Sequence, residues 1–223
     1  MLTQLSEHLK KLSWVKEATY IRNASMPIIK VLCIEEFNSM SIDISIQDER
    51  HFGLKCVKLV KELIKNYEAL KPLVLTLKNI LKRANLNDPY KGGLSSYGVI
   101  LLIVNFLQKE SALGIDISLN NLGFIFYQFL FFYGIQFNPR MEIISVTAID
   151  ELIYNQFSNQ MANGELVIID PLNYKNNVGK NTRNFTLIQL AFRISYNSVR
   201  ETCECGCHFQ FGEFCLKEEK VDH

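Results

Sequence analysis

The sequence has 223 residues, of which 48% are hydrophobic and 11% aromatic, and its 24 basic residues nearly balance 23 acidic ones. This composition predicts a globular protein and excludes a disordered tail or a strongly basic nucleic-acid coat. The apolar runs at 99–107 and 122–135 are shorter than the roughly 20 residues that cross a bilayer, so we expect buried helices and no membrane partner. No secretory signal is visible, and the cysteine pattern favours a reducing compartment.

The first predicted elements are a short helix at 4–12 and a β-hairpin. Pro27 opens a β-branched run at 28–34 that predicts a strand, and the alternating SIDISI at 41–46 predicts a second one. Asp43 lies on the polar face of this second strand. There its carboxylate either holds a divalent metal ion in a cleft or faces solvent on an edge hairpin.

Helices dominate the rest of the chain. A lysine-rich amphipathic helix is predicted after Gly53, because Val57, Val60, Leu63 and Ile64 recur at helical spacing. Further helices are predicted near 70–85, 94–109, 118–133 and 183–198. A short extended piece at 165–169 precedes Asp170 and Pro171. The predicted fold class is therefore α+β, with an N-terminal hairpin and a mainly helical remainder.

Positive charge is concentrated between Arg50 and Lys91, where ten basic residues face three acidic ones. Such a segment attracts anions. Within it, Lys78 and Lys82 stand four residues apart, so a helix places both ammonium groups on one face. Two such lysines can bind a polyphosphate; the alternative is an ordinary solvated helix face.

The sequence GGLSSYG at 92–98 places a glycine pair and two serines at the start of an apolar helix. Helix N-termini attract phosphate groups, so the serine hydroxyls at this helix start could lie near a bound phosphate. The alternative is that Ser95 or Ser96 is a simple N-cap and Tyr97 a packed core ring.

The C-terminal tail contains five residues with side chains that bind zinc: Cys203, Cys205, Cys207, His208 and Cys215. Their types suit Zn²⁺. Their alternating spacing differs from the usual Cys-x-x-Cys knuckle, however, and the alternative is a set of loosely ordered thiols.

Five segments, in this order, resemble the non-canonical poly(A) and poly(U) polymerases of the DNA polymerase β-like nucleotidyltransferase superfamily. They are ATYIRNASMPIIKV, SIDISIQDERHFGLK, KPLVLTLKNILKRANLND, KGGLSSYGVILLIVNFLQ and IIDPLNYKNNVGKNTRNFTLIQLAF. The last is similar to the PAP-associated segment, and its Asp-Pro-Leu and Asn-x-Val-Gly resemble the nuclear surveillance (TRAMP-type) branch. The resemblance implies a partial palm at 1–52, a helical central domain at 53–200 and a separate Cys-rich tail at 201–223.

The resemblance also implies roles for individual residues. Asp43 would be the third metal-binding carboxylate, for Mg²⁺ or Mn²⁺. Lys78, Lys82 and Ser96 would contact the phosphates of ATP, and Tyr97 would stack on its base.

Two further residues are placed near the base edge by the resemblance, Asp170 and Asn176. Asn176 stands where uridine-adding relatives often carry histidine, which favours ATP over UTP. The chain departs from the family pattern at two further positions. Cys56 lies near a position where many relatives carry an asparagine that contacts the ribose, and Lys180 stands where an arginine is common. The implied partners are RNA 3′ ends and adapter or helicase subunits, in the nucleus or otherwise the cytoplasm.

The family pattern also requires Gly-Ser followed by Asp-x-Asp on a strand, and these 223 residues contain no Asp-x-Asp. We therefore expect RNA 3′-end nucleotide addition, with ATP preferred, in an intact protein, and no activity from this chain alone. The alternative is a catalytically inactive relative that binds nucleotide or RNA, or acts as a scaffold in an RNA-processing complex.

Overall fold

The structure is a computed structural model that describes residues 2–22, 27–46 and 52–204. The chain divides into two compact units, Met1–Lys58 and Leu59–His223. None of the described helices combines the length and apolar character needed to cross a membrane.

The first unit contains a three-stranded antiparallel sheet in the order β1-β2-β3. Its elements are α1 (Leu2–Leu9), β1 (Val15–Ile21), β2 (Ile28–Cys33) and β3 (Ser41–Ser45). Alternation along the strands buries Ala18, Ile29 and Val31, and Leu9 of α1 packs in the same cluster. The predicted hairpin is confirmed as β2 and β3, and β1 extends it to three strands.

The second unit is mainly helical. Its elements are α3 (Leu70–Arg83), α4 (Ser96–Ala112), α5 (Leu122–Phe131), α6 (Glu151–Ala162), β4 (Ile169–Asp170), β5 (Asn173–Asn177) and α7 (Phe185–Glu204). A further helix, α2 (Gly53–Asn66), contains the boundary between the units. The helices predicted from periodicity are confirmed within a few residues, whereas α6 was not predicted.

The core of this unit forms around α4 and α5, which are apolar on nearly all sides. Residues 101–107 of α4 are all buried, and Phe106 meets Phe129 of α5 edge to face with ring centroids 5.5 Å apart. Phe129 also contacts Phe192 of α7 at 5.6 Å. This three-helix contact explains why the apolar runs are buried helices.

A π-helix at Phe132–Gln136 continues α5. A Cβ atom on Gly134 would lie 2.8 Å from the backbone nitrogen of Arg193. The π-helix therefore packs directly on the backbone of α7, and only glycine fits at this contact.

The short hairpin β4–β5 packs against α6. Ile169 and Val167 share a small buried cluster with Phe157 and Met161 of α6, and Ile168 forms a parallel bridge to Ile144. These contacts fix the hairpin that bears Asp170.

Candidate nucleotide site

The loop between α3 and α4 is closed by backbone hydrogen bonds. Leu94 N donates to Leu86 O at 2.8 Å, and Leu86 N donates to Leu81 O at 2.8 Å. A Cβ atom on Gly93 would lie 2.3 Å from Leu86 O, so this loop needs glycine at its closest approach. The result is that the C-terminal end of α3 and the N-terminus of α4 lie next to each other.

The N-terminus of α4 is capped by Ser95. Its hydroxyl accepts a hydrogen bond from Gly98 N at 2.9 Å, which satisfies one of the helix's initial N–H groups. Ser96 is the first helical residue and its side chain is exposed. The structure therefore assigns the capping role to Ser95 and leaves the Ser96 hydroxyl facing outward beside the helix N-terminus.

Tyr97, Asp170 and Asn176 are brought together by side-chain hydrogen bonds. The Tyr97 hydroxyl donates to Asp170 Oδ1 at 3.2 Å, and Asn176 Nδ2 donates to Asp170 Oδ2 at 3.0 Å. Asp170 is 7% exposed, and its Oδ1 also accepts from Leu172 N at 3.0 Å. A buried carboxylate thus links the start of α4 to the β4–β5 hairpin, with the exposed Asn176 at its edge.

The Tyr97 ring is partly buried and packs against the core. The packed-ring interpretation and the base-contact interpretation both fit this position, because one face of a ring can rest on the core while the other receives a base.

Asn177, the neighbour of Asn176, is buried and uses its whole amide group. Its Oδ1 accepts from Ile168 N at 2.9 Å and from Gly179 N at 2.8 Å. Its Nδ2 donates to Gln160 Oε1 at 2.7 Å and to Leu166 O at 3.0 Å. These four bonds hold β5 against α6 and the residues before β4, and so fix the strand that carries Asn176.

Asn184, which directly precedes α7, connects the start of α7 to the loop before α4. Its Nδ2 donates to Lys91 O at 2.9 Å, and its backbone nitrogen donates to Gly92 O at 2.9 Å. Gly92 has a φ of 86°, a left-handed conformation that favours glycine. The glycine pair thus lets the loop before α4 dock on the start of α7.

Lys78 and Lys82 both lie on α3 with exposed side chains, as predicted. Leu77 and Leu81, one residue before each lysine, are buried. Within the described residues, neither ammonium group forms an ion pair. Lys82 lies in the last turn of α3, beside the loop that leads to Ser96. Both cations remain candidates for phosphate binding.

Asp43 lies on β3 and is exposed. It is paired with Lys30 of β2, which is paired in turn with Thr19 of β1. Directly opposed residues project from the same face of a sheet, so the cross-strand neighbour of Asp43 is an ammonium group. Across residues 2–22, 27–46 and 52–204, no three or more His, Cys, Asp or Glu side chains are grouped to hold a metal ion. These residues therefore do not complete the Mg²⁺ or Mn²⁺ centre that the resemblance implies.

The predicted zinc ligands fall largely outside the described residues. Cys203 belongs to α7, but its side chain is not described, and Cys205, Cys207, His208 and Cys215 lie beyond residue 204. Zinc binding by the tail stays a prediction.

Comparison with known proteins identifies sequence relatives of the chain. No family profile matches the chain. The chain is 33% identical over 193 residues to poly(A) RNA polymerase cid14 of Schizosaccharomyces pombe, covering 84% of the chain and 28% of the relative. It is 34% identical over 179 residues to poly(A) RNA polymerase gld-4 of Caenorhabditis elegans, covering 76% of the chain and 21% of the relative. The chain is a homologue of the non-canonical poly(A) polymerases.

The fold of this polymerase homologue agrees with that assignment. A solved structure of the polymerase core of TRAMP, an RNA surveillance complex, matches with a TM-score of 0.79 at 24% identity, over 97% of this chain and 68% of that one. The predicted resemblance and the α+β fold class are confirmed. The polymerase homologue spans 28% and 21% of the length of the two curated relatives.

Two residues that position the site were missed from the sequence, Asn177 and Asn184. Each had a usable signal. Asn177 precedes Val178 and Gly179 in a turn-forming stretch, where asparagine often bonds to nearby backbone. Asn184 directly precedes the amphipathic helix 185–204, a position where asparagine is common.

Proposed function

We propose that this polymerase homologue is part of an RNA 3′-end nucleotidyltransferase that uses ATP to extend RNA with adenylate. The observation that carries the proposal is the cluster of Tyr97, Asp170 and Asn176, in a homologue of proteins named poly(A) RNA polymerases. In the proposed reaction, an RNA 3′-hydroxyl attacks the α-phosphate of ATP and pyrophosphate leaves.

In this proposal the chain supplies the nucleotide-binding groups. The base stacks on Tyr97, whose hydroxyl is held by Asp170. The phosphates are bound by Lys78 and Lys82 of α3 and by the Ser96 hydroxyl at the start of α4. The loop that joins α3 to α4 supports this arrangement, because it brings the end of one helix next to the start of the other.

Asn176 would favour adenine at the base edge. Its Nδ2 is engaged by Asp170, which leaves Oδ1 oriented by that bond and able to accept a hydrogen bond. An adenine amino group donates such a bond, whereas the corresponding uracil carbonyl does not. This complementarity supports ATP over UTP.

The catalytic centre would be shared with residues outside these 223. Mg²⁺ or Mn²⁺ would neutralise charge on the reacting phosphates, and Asp43 is the carboxylate that this chain would contribute. Such ions need several converging oxygen ligands, and the chain contains no Asp-x-Asp. We therefore expect the 223-residue chain alone to be inactive.

Primer extension tests the proposal. A labelled oligoadenylate primer is incubated with ATP and Mg²⁺ or Mn²⁺. The enzyme sample is either the 223-residue chain or the longest protein that its full transcript encodes. We expect no extension by the chain alone, and extension by a longer product that contains Gly-Ser and Asp-x-Asp. Asp43→Asn should abolish that extension, while Asp116→Asn, on an exposed turn of the helical unit, should not.

Two outcomes would contradict the proposal. Robust tailing by the chain alone would mean that the missing carboxylates are within it. No tailing by a longer product with an intact Asp-x-Asp would argue against the enzyme function.

The second candidate function is a catalytically inactive subunit that binds nucleotide or RNA in a processing complex. The absence of Asp-x-Asp favours it. The sequence of the full transcript distinguishes the two candidates. If it encodes no Asp-x-Asp upstream of these 223 residues, only the binding role remains.

In either case we propose RNA 3′ ends and adapter or helicase subunits as partners, and the nucleus as the site of action.

A further inference from the structure

A pocket of about 410 Å³ lies between the π-helix and the first turns of α7. Its lining includes both polar and aliphatic side chains, among them Asn138, Thr186, Gln189, Arg193, Ile135 and Leu190. None of its lining residues belongs to the predicted nucleotide-binding set. The pocket therefore shares no residue with the candidate nucleotide site.

The walls of the pocket are fixed by contacts between the π-helix and α7. Gly134 touches the backbone of α7 at Arg193, as described above. Gln189 Nε2 donates to Tyr133 O at 3.2 Å and to Phe137 O at 2.9 Å. The amide of Gln189 thus satisfies carbonyl groups at the π-helix and just beyond it. These bonds make the pocket a preformed feature.

The charge of the pocket favours an anionic group. Of the described residues that line it, only Arg193 is charged, and its side chain is exposed. Among the described residues, no carboxylate lies within ion-pair distance of its guanidinium. A planar guanidinium with free donors binds a carboxylate or a phosphate in a bidentate manner.

The rim of the pocket favours a protein rather than RNA. Leu190 and Ile135 line the pocket and are 38% and 45% exposed. Leu187 and Ile194 share the face of α7 that bears Leu190, at i, i+3 and i+7, and are 51% and 60% exposed; we call these four side chains the aliphatic rim. The aromatic ring in the lining, Phe137, is 3% exposed. Single-stranded RNA is bound by basic grooves with exposed rings for stacking, whereas aliphatic side chains beside one cation match an amphipathic peptide.

We propose that this pocket and its aliphatic rim form a docking site for an acidic segment of a partner protein. A partner carboxylate pairs with Arg193, and adjacent Leu, Ile or Val side chains cover Leu190, Ile194 and Ile135. This proposal depends on the geometry of the pocket and does not depend on the proposed polymerase function.

Selection from a random peptide library tests the docking site. The 223-residue chain is immobilised and panned, and enriched sequences are synthesised and their affinities measured by fluorescence anisotropy. We expect peptides that place Asp or Glu beside Leu, Ile or Val. Arg193→Gln should weaken their binding about tenfold, and Ile194→Asp should also weaken it.

The matched control is Arg200→Gln, an exposed arginine on the same helix that is paired with Glu204 at 3.6 Å; it should leave peptide affinity unchanged. Circular dichroism and urea midpoints verify that each variant is folded. Three results would overturn the proposal: no acidic–aliphatic enrichment, equal losses in Arg193→Gln and Arg200→Gln, or an Arg193→Gln variant that loses binding to a labelled oligoadenylate but keeps its peptide affinity. The last result would assign the surface to RNA.

Discussion

At the scale of the residue, Asn177 is the side chain near the candidate site that is held by the most hydrogen bonds among those described above. Its amide is not chemically reactive, so the sequence motifs did not draw attention to it. Its four hydrogen bonds use both the donor and acceptor capacity of a buried amide. The family resemblance implied that Tyr97, Asp170 and Asn176 all lie near the bound base, and hydrogen bonds join the three side chains in the structure. The resemblance did not indicate that Asn177 fixes β5, the strand that carries Asn176, because this role depends on contacts to Gln160 and Leu166 that form only in the folded chain.

Replacement of Asn177 should therefore destabilise the fold and leave buried groups without partners. We expect Asn177→Ala to lower the free energy of unfolding by about 2–4 kcal/mol, because several buried donors and acceptors lose their bonds. Urea denaturation measures the change. Asn155→Ala, at an exposed position of α6, is the control and should change it by less than about 0.5 kcal/mol. A similar loss in both variants would contradict the positioning role.

At the scale of the element, the two serines at the start of α4 have different roles: Ser95 caps the helix, and Ser96 is the proposed ligand contact. Ser95 caps the helix through Gly98 N, so Ser95→Ala should lower stability by about 1 kcal/mol. Ser96→Ala should leave stability nearly unchanged but weaken ATP binding, because its exposed hydroxyl is the proposed phosphate contact. Denaturation and calorimetric titration of both variants measure these effects. Unchanged ATP affinity in Ser96→Ala would remove Ser96 from the site.

The contact between α4 and the π-helix makes the stability of the fold depend on pH through Tyr133. The Tyr133 hydroxyl donates to Leu102 O at 3.0 Å, and burial, with a smaller contribution from the charge of Glu142, raises the pKa of Tyr133 well above its usual value. The folded state favours the neutral phenol of Tyr133. Its contribution to the free energy of unfolding is therefore complete below about pH 10, the pKa of tyrosine in the unfolded chain, and is lost as the pH rises above that value.

Tyr133→Phe removes this titration. We expect wild-type stability to fall more steeply than that of Tyr133→Phe above about pH 10, as measured by thermal unfolding across the alkaline range. Parallel curves for the two proteins would show that Tyr133 does not contribute to alkaline unfolding.

Element prediction succeeded where the hydrophobic pattern was strong and failed where tertiary contacts decide the structure. The strand β2 follows from its β-branched run, β3 from alternation and α3 from helical spacing. The helix α6 was missed because its buried residues are few, chiefly Phe157 and Met161. The π-helix was missed because it depends on the close approach of Gly134 to α7, which local periodicity does not encode.

At the scale of the whole molecule, the chain combines a small sheet unit that bears Asp43 with a helical unit that bears the proposed nucleotide contacts. Its homology and fold agree with the non-canonical poly(A) polymerases, and its proposed catalytic centre requires residues outside the 223. The central claim is therefore nucleotide recognition by the helical unit, with adenine preferred through Asn176.

Calorimetric titration with ATP and UTP tests this claim most directly. We expect the wild-type chain to bind ATP more tightly than UTP, and Asn176→His to shift the preference towards UTP. Tyr97→Ala should weaken ATP binding about 5- to 150-fold, in line with a stacking contribution of roughly 1–3 kcal/mol, while Tyr154→Ala, on an exposed turn of α6, should have no effect. No ATP binding by the folded wild-type chain, or equal ATP affinity in wild type and Tyr97→Ala, would contradict the account.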